Sequence, residues 1–203
     1  MERQAKIGSI AEGKIFNAKG HFFSLAELLG GDVSGNESFL KGSYITFYLS
    51  PCDYHRVHMP IRGILKKMTY VPGKLFSVQN AYVNTILSVF SKNERLIVEF
   101  ETIYGPMIVI LVGAMIVAGI HTTWHGHITR EKKIRQWQYP SEGASPIILE
   151  SGAELGHFSV GSSVLLLFPG SYTLTNCAHL FQAKQVCYGE ALGSPEVLPH
   201  PNV

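Results

Sequence analysis

A chain of 203 residues, 46% hydrophobic and only 16% charged, can bury one substantial core, and its length fits a single domain. A net charge of +2, with no long run of Lys or Arg, excludes the concentrated basic face that nucleic acid requires. Cys52, Cys177 and Cys187 are odd in number and lack CxxC or zinc spacing, which excludes a disulfide framework or structural metal and makes a reducing compartment the default.

Met1 is followed by Glu2, Arg3, Gln4 and Lys6, so no secretory signal is expected at the start. The first predicted element is a short helix at about 24–30. Ser24-Leu25-Ala26-Glu27 has the spacing of a capping box, and Gly30-Gly31 can stop the turn. Tyr44–Leu49 (YITFYL) reads as a strand, and a second helix is predicted around Val83–Phe90. Leu96–Phe100, Ile108–Ile120 and Val164–Phe168 follow as strands, separated by Gly, Pro or Asn. The longest apolar run, Met107–Ile120, falls short of the roughly 17–25 residues of a spanning helix, and its valines and isoleucines favour a buried strand. The tail from Gly193 (GSPEVLPHPNV) is proline-rich and reads as a mobile end. The expected class is α+β, mainly β, with one domain over residues 1–203.

Two segments carry chemistry. Pro51-Cys52-Asp53-Tyr54-His55-Arg56-Val57-His58-Met59-Pro60 places two imidazoles, an acid and an arginine between two backbone-restricting prolines. Histidine can shuttle protons near neutral pH, and Arg56 can hold a phosphate or carboxylate by paired hydrogen bonds; a polar surface turn is the competing reading. The second segment, Leu155-Gly156-His157-Phe158-Ser159-Val160-Gly161-Ser162-Ser163-Val164, runs into an apolar strand. With no side chain on Gly161, the Ser162 hydroxyl can approach the preceding carbonyl as an N-to-O acyl shift requires, although Gly-Ser-Ser is also a common turn.

Taken together, Tyr48-Leu49-Ser50-Pro51 through Asp53-Tyr54-His55-Arg56-Val57-His58-Met59-Pro60 strongly resembles the signature of the bacterial, pyruvoyl-dependent phosphatidylserine decarboxylases. So do Tyr70–Val78 (YVPGKLFSV), Asn93-Glu94-Arg95, Leu111-Val112-Gly113-Ala114 and Phe158-x-x-Gly161-Ser162-Ser163, and the resemblance covers about residues 7–190. It implies that phosphatidylserine is decarboxylated to phosphatidylethanolamine through a Schiff base to a self-generated pyruvoyl group. The implied self-cleavage lies between Gly161 and Ser162, giving 1–161 and 162–203, with the pyruvoyl cofactor derived from Ser162. By the same resemblance His58 is the general base for maturation, and His55 handles substrate and decarboxylation. Arg56 is a further substrate-binding candidate, and no metal is implied. The family usually has Thr after the cleaved serine, where this chain keeps a hydroxyl in Ser163.

The implied partners are phosphatidylserine and an anionic membrane surface, together with association of the two cleavage products and a homodimer. Nucleic acid is excluded. The implied location is the cytoplasmic side of the bacterial cell membrane, as a peripheral protein. The family's Val/Ala-Asp-Gly segment, whose aspartate pairs with the histidine matching His58, and its membrane-docking helices have no counterpart here, so the expectation is an N-terminally truncated chain. Neither Asp32 nor Asp53 matches that aspartate. The alternative function is therefore a non-processed, inactive decarboxylase-like fragment. A lipoyl- or biotinyl-carrier module would need an exposed hairpin lysine in an Asp-Lys or Met-Lys-Met turn, which the sequence lacks.

Three further groups have two readings each. On one strand, His121, His125 and His127 would share a face, as zinc ligands or as an exposed histidine row. Arg130, Lys132, Lys133 and Arg135 suit anionic lipid or a solvated loop. Trp124, Trp137 and Tyr139 suit a lipid interface or hairpin packing.

Overall fold

The computed structural model describes residues 3–16, 22–31, 33–78, 89–114, 119–140, 145–159, 161–177, 180 and 184–197. Three strands open the chain, β1 (Arg3–Ala11), β2 (Lys14–Phe16) and β3 (Phe22–Ser24), and β3 leads into a one-turn helix, α1 (Leu25–Leu28). Ser24 makes no side-chain cap bond, so the expected capping box does not form; the residue lies in extended backbone as the last position of β3. The helix stops where expected, at Gly30 and Gly31, with φ of 90° and 104°.

The next strands are β4 (Ser43–Leu49), β5 (Arg56–His58) and β6 (Gly63–Val71). Helix α2 (Val89–Lys92) overlaps the end of the predicted second helix, whose earlier part lies outside the described residues. Strands β7 (Arg95–Thr102) and β8 (Gly105–Val112) form a hairpin, and β9 (Ile120–Thr122) and β10 (Gly126–Ile128) form another. There follow β11 (Arg135–Gln138), β12 (Ile148–Leu149), β13 (Glu154–Phe158), β14 (Ser162–Phe168), β15 (Tyr172–Thr175), β16 (Lys184–Val186) and β17 (Ser194–Val197).

The main sheet runs β11-β6-β7-β8-β14-β4-β1-β2-β3, with β12 beside β6 and β16 beside β1. Its central strands explain their own sequences. Met107–Val112 of β8 and all of β14 are buried, so both faces need apolar side chains and the runs read as continuous rather than alternating. A second sheet, β10-β9-β13-β5, stands apart in the pairing, and β15 pairs with β17.

The predicted strand Ile108–Ile120 is thus two elements in different sheets. Backbone pairing with β7 and β14 ends at Val112, and Gly113 turns to Asn93 and Glu94 instead. The first part of the tail is corrected too, since Ser194–Val197 is a paired strand rather than a mobile end, with its proline in a two-stranded edge pairing; residues 198–203 lie outside the described residues.

Asn93-Glu94-Arg95 holds this region together from inside. Asn93, fully buried, donates from Nδ2 to the Phe76 and Gly113 carbonyls and accepts from Phe76 N–H. Arg95, 2% exposed, spreads its guanidinium over the carbonyls of Glu27 and Leu28 in α1 and of Ser91 and Asn93 at the end of α2. One cation therefore satisfies the C-terminal carbonyls of two short helices, where positive charge is favoured. Gly73 completes the clasp: a Cβ there would sit 2.5 Å from Glu94 N and the Lys92 carbonyl oxygen, too close for any other residue. Glu94, also buried, pairs with Arg130.

Candidate active site

Antiparallel pairing of β4 with β14 aligns Leu49, the last residue of β4, with Ser162, the first of β14. The two chemical segments therefore meet: the chain leaving Leu49 turns at Ser50–Asp53 and enters β5, while Gly161-Ser162 starts its central strand beside that turn. Asp53 builds the turn, accepting from Ser50 N–H at 2.7 Å while its own N–H donates to the Ser50 carbonyl. A Cβ on Gly161 would lie 3.3 Å from both the Leu49 carbonyl oxygen and the Pro51 ring, so glycine lets these segments approach. Ser162 is 0% exposed, and its hydroxyl has no hydrogen-bond partner within the described structure.

Side chains alternate along a strand, so Ser162 shares a face with Val164, Leu166 and Phe168. Those three, with Ile45, Phe47 and Leu49 of β4, form one wall of a cavity of about 440 Å³. The opposite wall comes from His58 to Ile61 and from the segment Val186–Gly193. The cavity is therefore apolar along the sheet and carries an imidazole at its margin.

His58 Nδ1 is 2.9 Å from the Gly152 carbonyl, and Nε2 is 3.0 Å from the Tyr54 hydroxyl. A carbonyl only accepts, so in the neutral ring Nδ1 carries the hydrogen and Nε2 accepts from Tyr54. Tyr188 packs on the same imidazole at 4.5 Å between centroids, reaching it from the far side of the Gly161-Ser162 bond in the sequence. His55 donates from Nε2 to the Pro51 carbonyl at 3.2 Å, leaving a buried Nδ1 without a partner. The structure brings His55, Pro51 and Gly161-Ser162 into one neighbourhood and sets His58 at the cavity. It records no hydrogen bond between His58 and the Ser162 hydroxyl.

Arg56 is held by Glu154 across the β5–β13 pairing, where a bulge at Leu155 shifts the register. Burial alone would raise the Glu154 carboxyl; the Arg56 hydrogen bond and charge, with His157, override it and hold the group below the usual carboxylate range. Arg56 is also the end of a row: His127, His121, His157 and Arg56 are in-register partners across four adjacent strands. His121 and His157 stack at 4.6 Å. Burial first, then the His157 and His127 charges, pull the His121 pKa down.

The expected single strand bearing His121, His125 and His127 is corrected to a hairpin. Gly126, at φ 80°, reverses the chain, and His125 sits in the turn against Trp137. Among the described residues no group of three His, Cys, Asp or Glu side chains is arranged to hold a metal. Trp124, Trp137 and Tyr139 pack, half-buried, against the core. In the basic cluster, Arg130 and Arg135 are paired with Glu94 and Glu131.

Tyr54, Gly152, Glu154 and Tyr188 are site residues that sequence reasoning missed. Tyr54 lies within the Pro51–Pro60 segment, four residues before His58, and that spacing was its signal. The other three reach the site through pairings with distant segments and leave no local pattern.

Among the described residues no helix is long and apolar enough to cross a membrane. The family model described as phosphatidylserine decarboxylase matches residues 3–194. A phosphatidylserine decarboxylase proenzyme of Stutzerimonas stutzeri is 46% identical over 194 residues, which cover 95% of this chain and 65% of the relative. The Azotobacter vinelandii proenzyme of the same name is 51% identical over 194 residues (95% and 68%), and that of Methylococcus capsulatus 53% identical over 169 (82% and 58%). The chain thus spans 58–68% of the length of these relatives. With the family model matched over nearly its whole length, the chain belongs to the phosphatidylserine decarboxylase family.

Proposed function

We propose that this chain is the catalytic part of a pyruvoyl-dependent decarboxylase that converts phosphatidylserine to phosphatidylethanolamine, and that it matures by cleaving its own Gly161–Ser162 bond. The observation that carries the reading is the Ser162 hydroxyl: buried, without a hydrogen-bond partner, next to a glycine, and on the face of the sheet that forms an apolar cavity bordered by His58. A buried hydroxyl without a partner costs stability, which the fold tolerates where the group has chemistry to perform.

Maturation uses the chain's own groups. The Ser162 hydroxyl adds to the Gly161 carbonyl carbon, the peptide nitrogen leaves, and an ester links the two residues. Elimination across Cα–Cβ of Ser162 then frees a chain ending at Gly161, and water releases the new amino terminus as ammonia, leaving a pyruvoyl cap. His58 is the base, since its Nδ1–H is bound to Gly152 and its Nε2 is the proton-accepting nitrogen. The pocket fits such a group: Ser162 is fully enclosed, and Gly161 leaves room beside Pro51.

A pyruvoyl group at Ser162 would supply an electrophilic carbonyl for a primary amine and an electron sink for loss of carbon dioxide. His55 lies beside it through Pro51, its Nδ1 lone pair unengaged, and is the group proposed to hold the serine head group or return the proton. Arg56, bound to Glu154, is the second candidate for the head group's anionic oxygens. The apolar wall of β4 and β14 suits the lipid portion of the substrate.

One observation favours an uncleaved chain, namely that both His58 nitrogens are bonded away from Ser162. Intact-mass measurement under denaturing conditions decides between the readings. The purified chain, and the same chain extended upstream by a Val-Asp-Gly segment, are compared with their Ser162→Ala variants. The Ser162–Val203 fragment, altered to a pyruvoyl terminus, and an upstream fragment ending at Gly161 are expected rapidly from the extended chain, slowly from the chain alone, and from neither variant. Two-chain product from Ser162→Ala would overturn the assignment.

A further inference from the structure

The imidazole at the cavity margin is gripped on both edges, by a backbone carbonyl on one and by a side-chain hydroxyl on the other. Gly152 takes the Nδ1 hydrogen through a backbone carbonyl. Tyr54 places its hydroxyl 3.0 Å from Nε2, with its ring nearly parallel to the imidazole at 13° and 5.8 Å between centroids. We propose that Tyr54 is the positioning residue for His58, holding the imidazole as the tautomer whose Nε2 accepts a proton. The part of this inference that concerns catalysis rests on the maturation chemistry proposed above; the part that concerns the tautomer does not.

A histidine with a single partner can rotate about χ2 and exchange tautomers, whereas one with a carbonyl on Nδ1 and a hydroxyl on Nε2 has a single neutral arrangement that satisfies both contacts. Tyr54 can perform this task because its own backbone is anchored. The turn preceding it is pinned by the reciprocal Ser50–Asp53 bonds, and β5 follows immediately, paired to β13. Tyr188 closes the remaining side of the ring, with its hydroxyl 3.4 Å from Nδ1 and its ring tilted against both His58 and Tyr54. While the Tyr54 hydroxyl donates to Nε2, that nitrogen is fixed as the acceptor edge, and rotation of the hydroxyl about its C–O bond frees the lone pair to take another proton.

The test is long-range proton–nitrogen correlation NMR on the uniformly labelled chain near neutral pH, with His58→Gln identifying the His58 resonances. The expected wild-type pattern is a protonated Nδ1 and an unprotonated, hydrogen-bonded Nε2. In Tyr54→Phe the Nε2 resonance should move toward that of a free acceptor nitrogen while the backbone amide spectrum stays essentially unchanged. Self-cleavage followed by mass in the same samples should slow roughly five- to tenfold, the size of one lost hydrogen bond to the base. A wild-type His58 protonated on Nε2, or identical His58 resonances in both proteins, would overturn the proposal. So would a shifted Nε2 resonance accompanied by undiminished cleavage. The expected resonances in a wild-type chain that never cleaves would support the tautomer assignment and count against the maturation reading.

Discussion

Replacing Arg95 by Met should lower stability by about 2–4 kcal/mol, a large effect for a residue far from any chemistry. Methionine keeps the length and apolar stem but removes every donor. The Leu28 and Asn93 carbonyls, whose bonds to Arg95 are buried, would lose that donor, and each such loss costs ~1–3 kcal/mol. The Glu27 and Ser91 carbonyls border a pocket of about 400 Å³ that water can enter, so their loss counts for less. An offset comes from no longer burying a cation, a cost visible in the Arg95 pKa, which burial pulls down to about 10. Urea unfolding followed by circular dichroism is the assay. With a slope of ~1–3 kcal/mol per molar, the midpoint should fall by roughly 1 M or more at unchanged slope. Arg95→Lys, which reaches fewer carbonyls, should fall between. A Met variant whose midpoint moved by less than about 0.3 M would refute the clasp, because the four carbonyls would then be satisfied without the guanidinium.

Two other perturbations address the site and its neighbour. His55→Ala should permit self-cleavage but lower phosphatidylserine turnover by about 10²–10⁴-fold, while His58→Ala should block cleavage; the opposite pattern, seen by mass and by carbon dioxide release, would exchange their roles. Acid should destabilise the fold through His121: with its folded pKa depressed, the unfolded chain takes up a proton that the folded chain resists, so stability is lost as pH falls below the ordinary histidine value of about 6.5. His121→Gln should flatten that acid limb, read as the urea midpoint against pH, and an unchanged limb would refute the row's role. Glu154, depressed by Arg56, acts only at pH below its ordinary carboxylate value, outside this window.

The strands legible in the sequence were those rich in apolar, β-branched and aromatic residues, whether buried throughout, as Val164–Phe168 is, or only in part, as Tyr44–Leu49 is. Tyr44–Leu49 and Val164–Phe168 are apolar because both belong to the middle of the main sheet. Ser162 and Ser163 begin the same strand yet look like a turn, since polar residues are seldom 0% and 1% exposed. His121, His125 and His127 do not share one strand because Thr123–His125 form a turn, closed by Gly126 at φ 80°, and spacing alone does not announce that reversal. Arg95 is charged and sits between Asn93-Glu94 and an apolar run, and nothing local announces that its partners are carbonyls near residue 28. In the candidate site, His55, His58 and Gly161-Ser162 were legible as motifs. Tyr188 was not, because its contact with His58 spans 130 positions and depends on how the segment Val186–Gly193 covers the cavity.

The position of the Gly161–Ser162 bond within the sheet explains how one chain could become two without losing its site. Ser162 is the first residue of β14, so breaking the bond before it touches only the terminal Ser162–Leu49 pair and leaves the ladders with β4 and β8 intact from Ser163 onward. Val164 through Phe168 stay buried between those strands, each side chain contributing ~1.5–3 kcal/mol relative to exposure, so the downstream piece remains a central strand. The same piece carries β16, paired to β1, and Tyr188 against His58. A cut inside a strand would sacrifice ladder bonds, and a cut in a remote loop would not put a new terminus beside the Pro51 turn that holds His55. The junction between a turn and a buried strand meets both conditions: an end created at Ser162 would be held in place by the sheet, on the strand face whose next residues, Val164, Leu166 and Phe168, line the cavity.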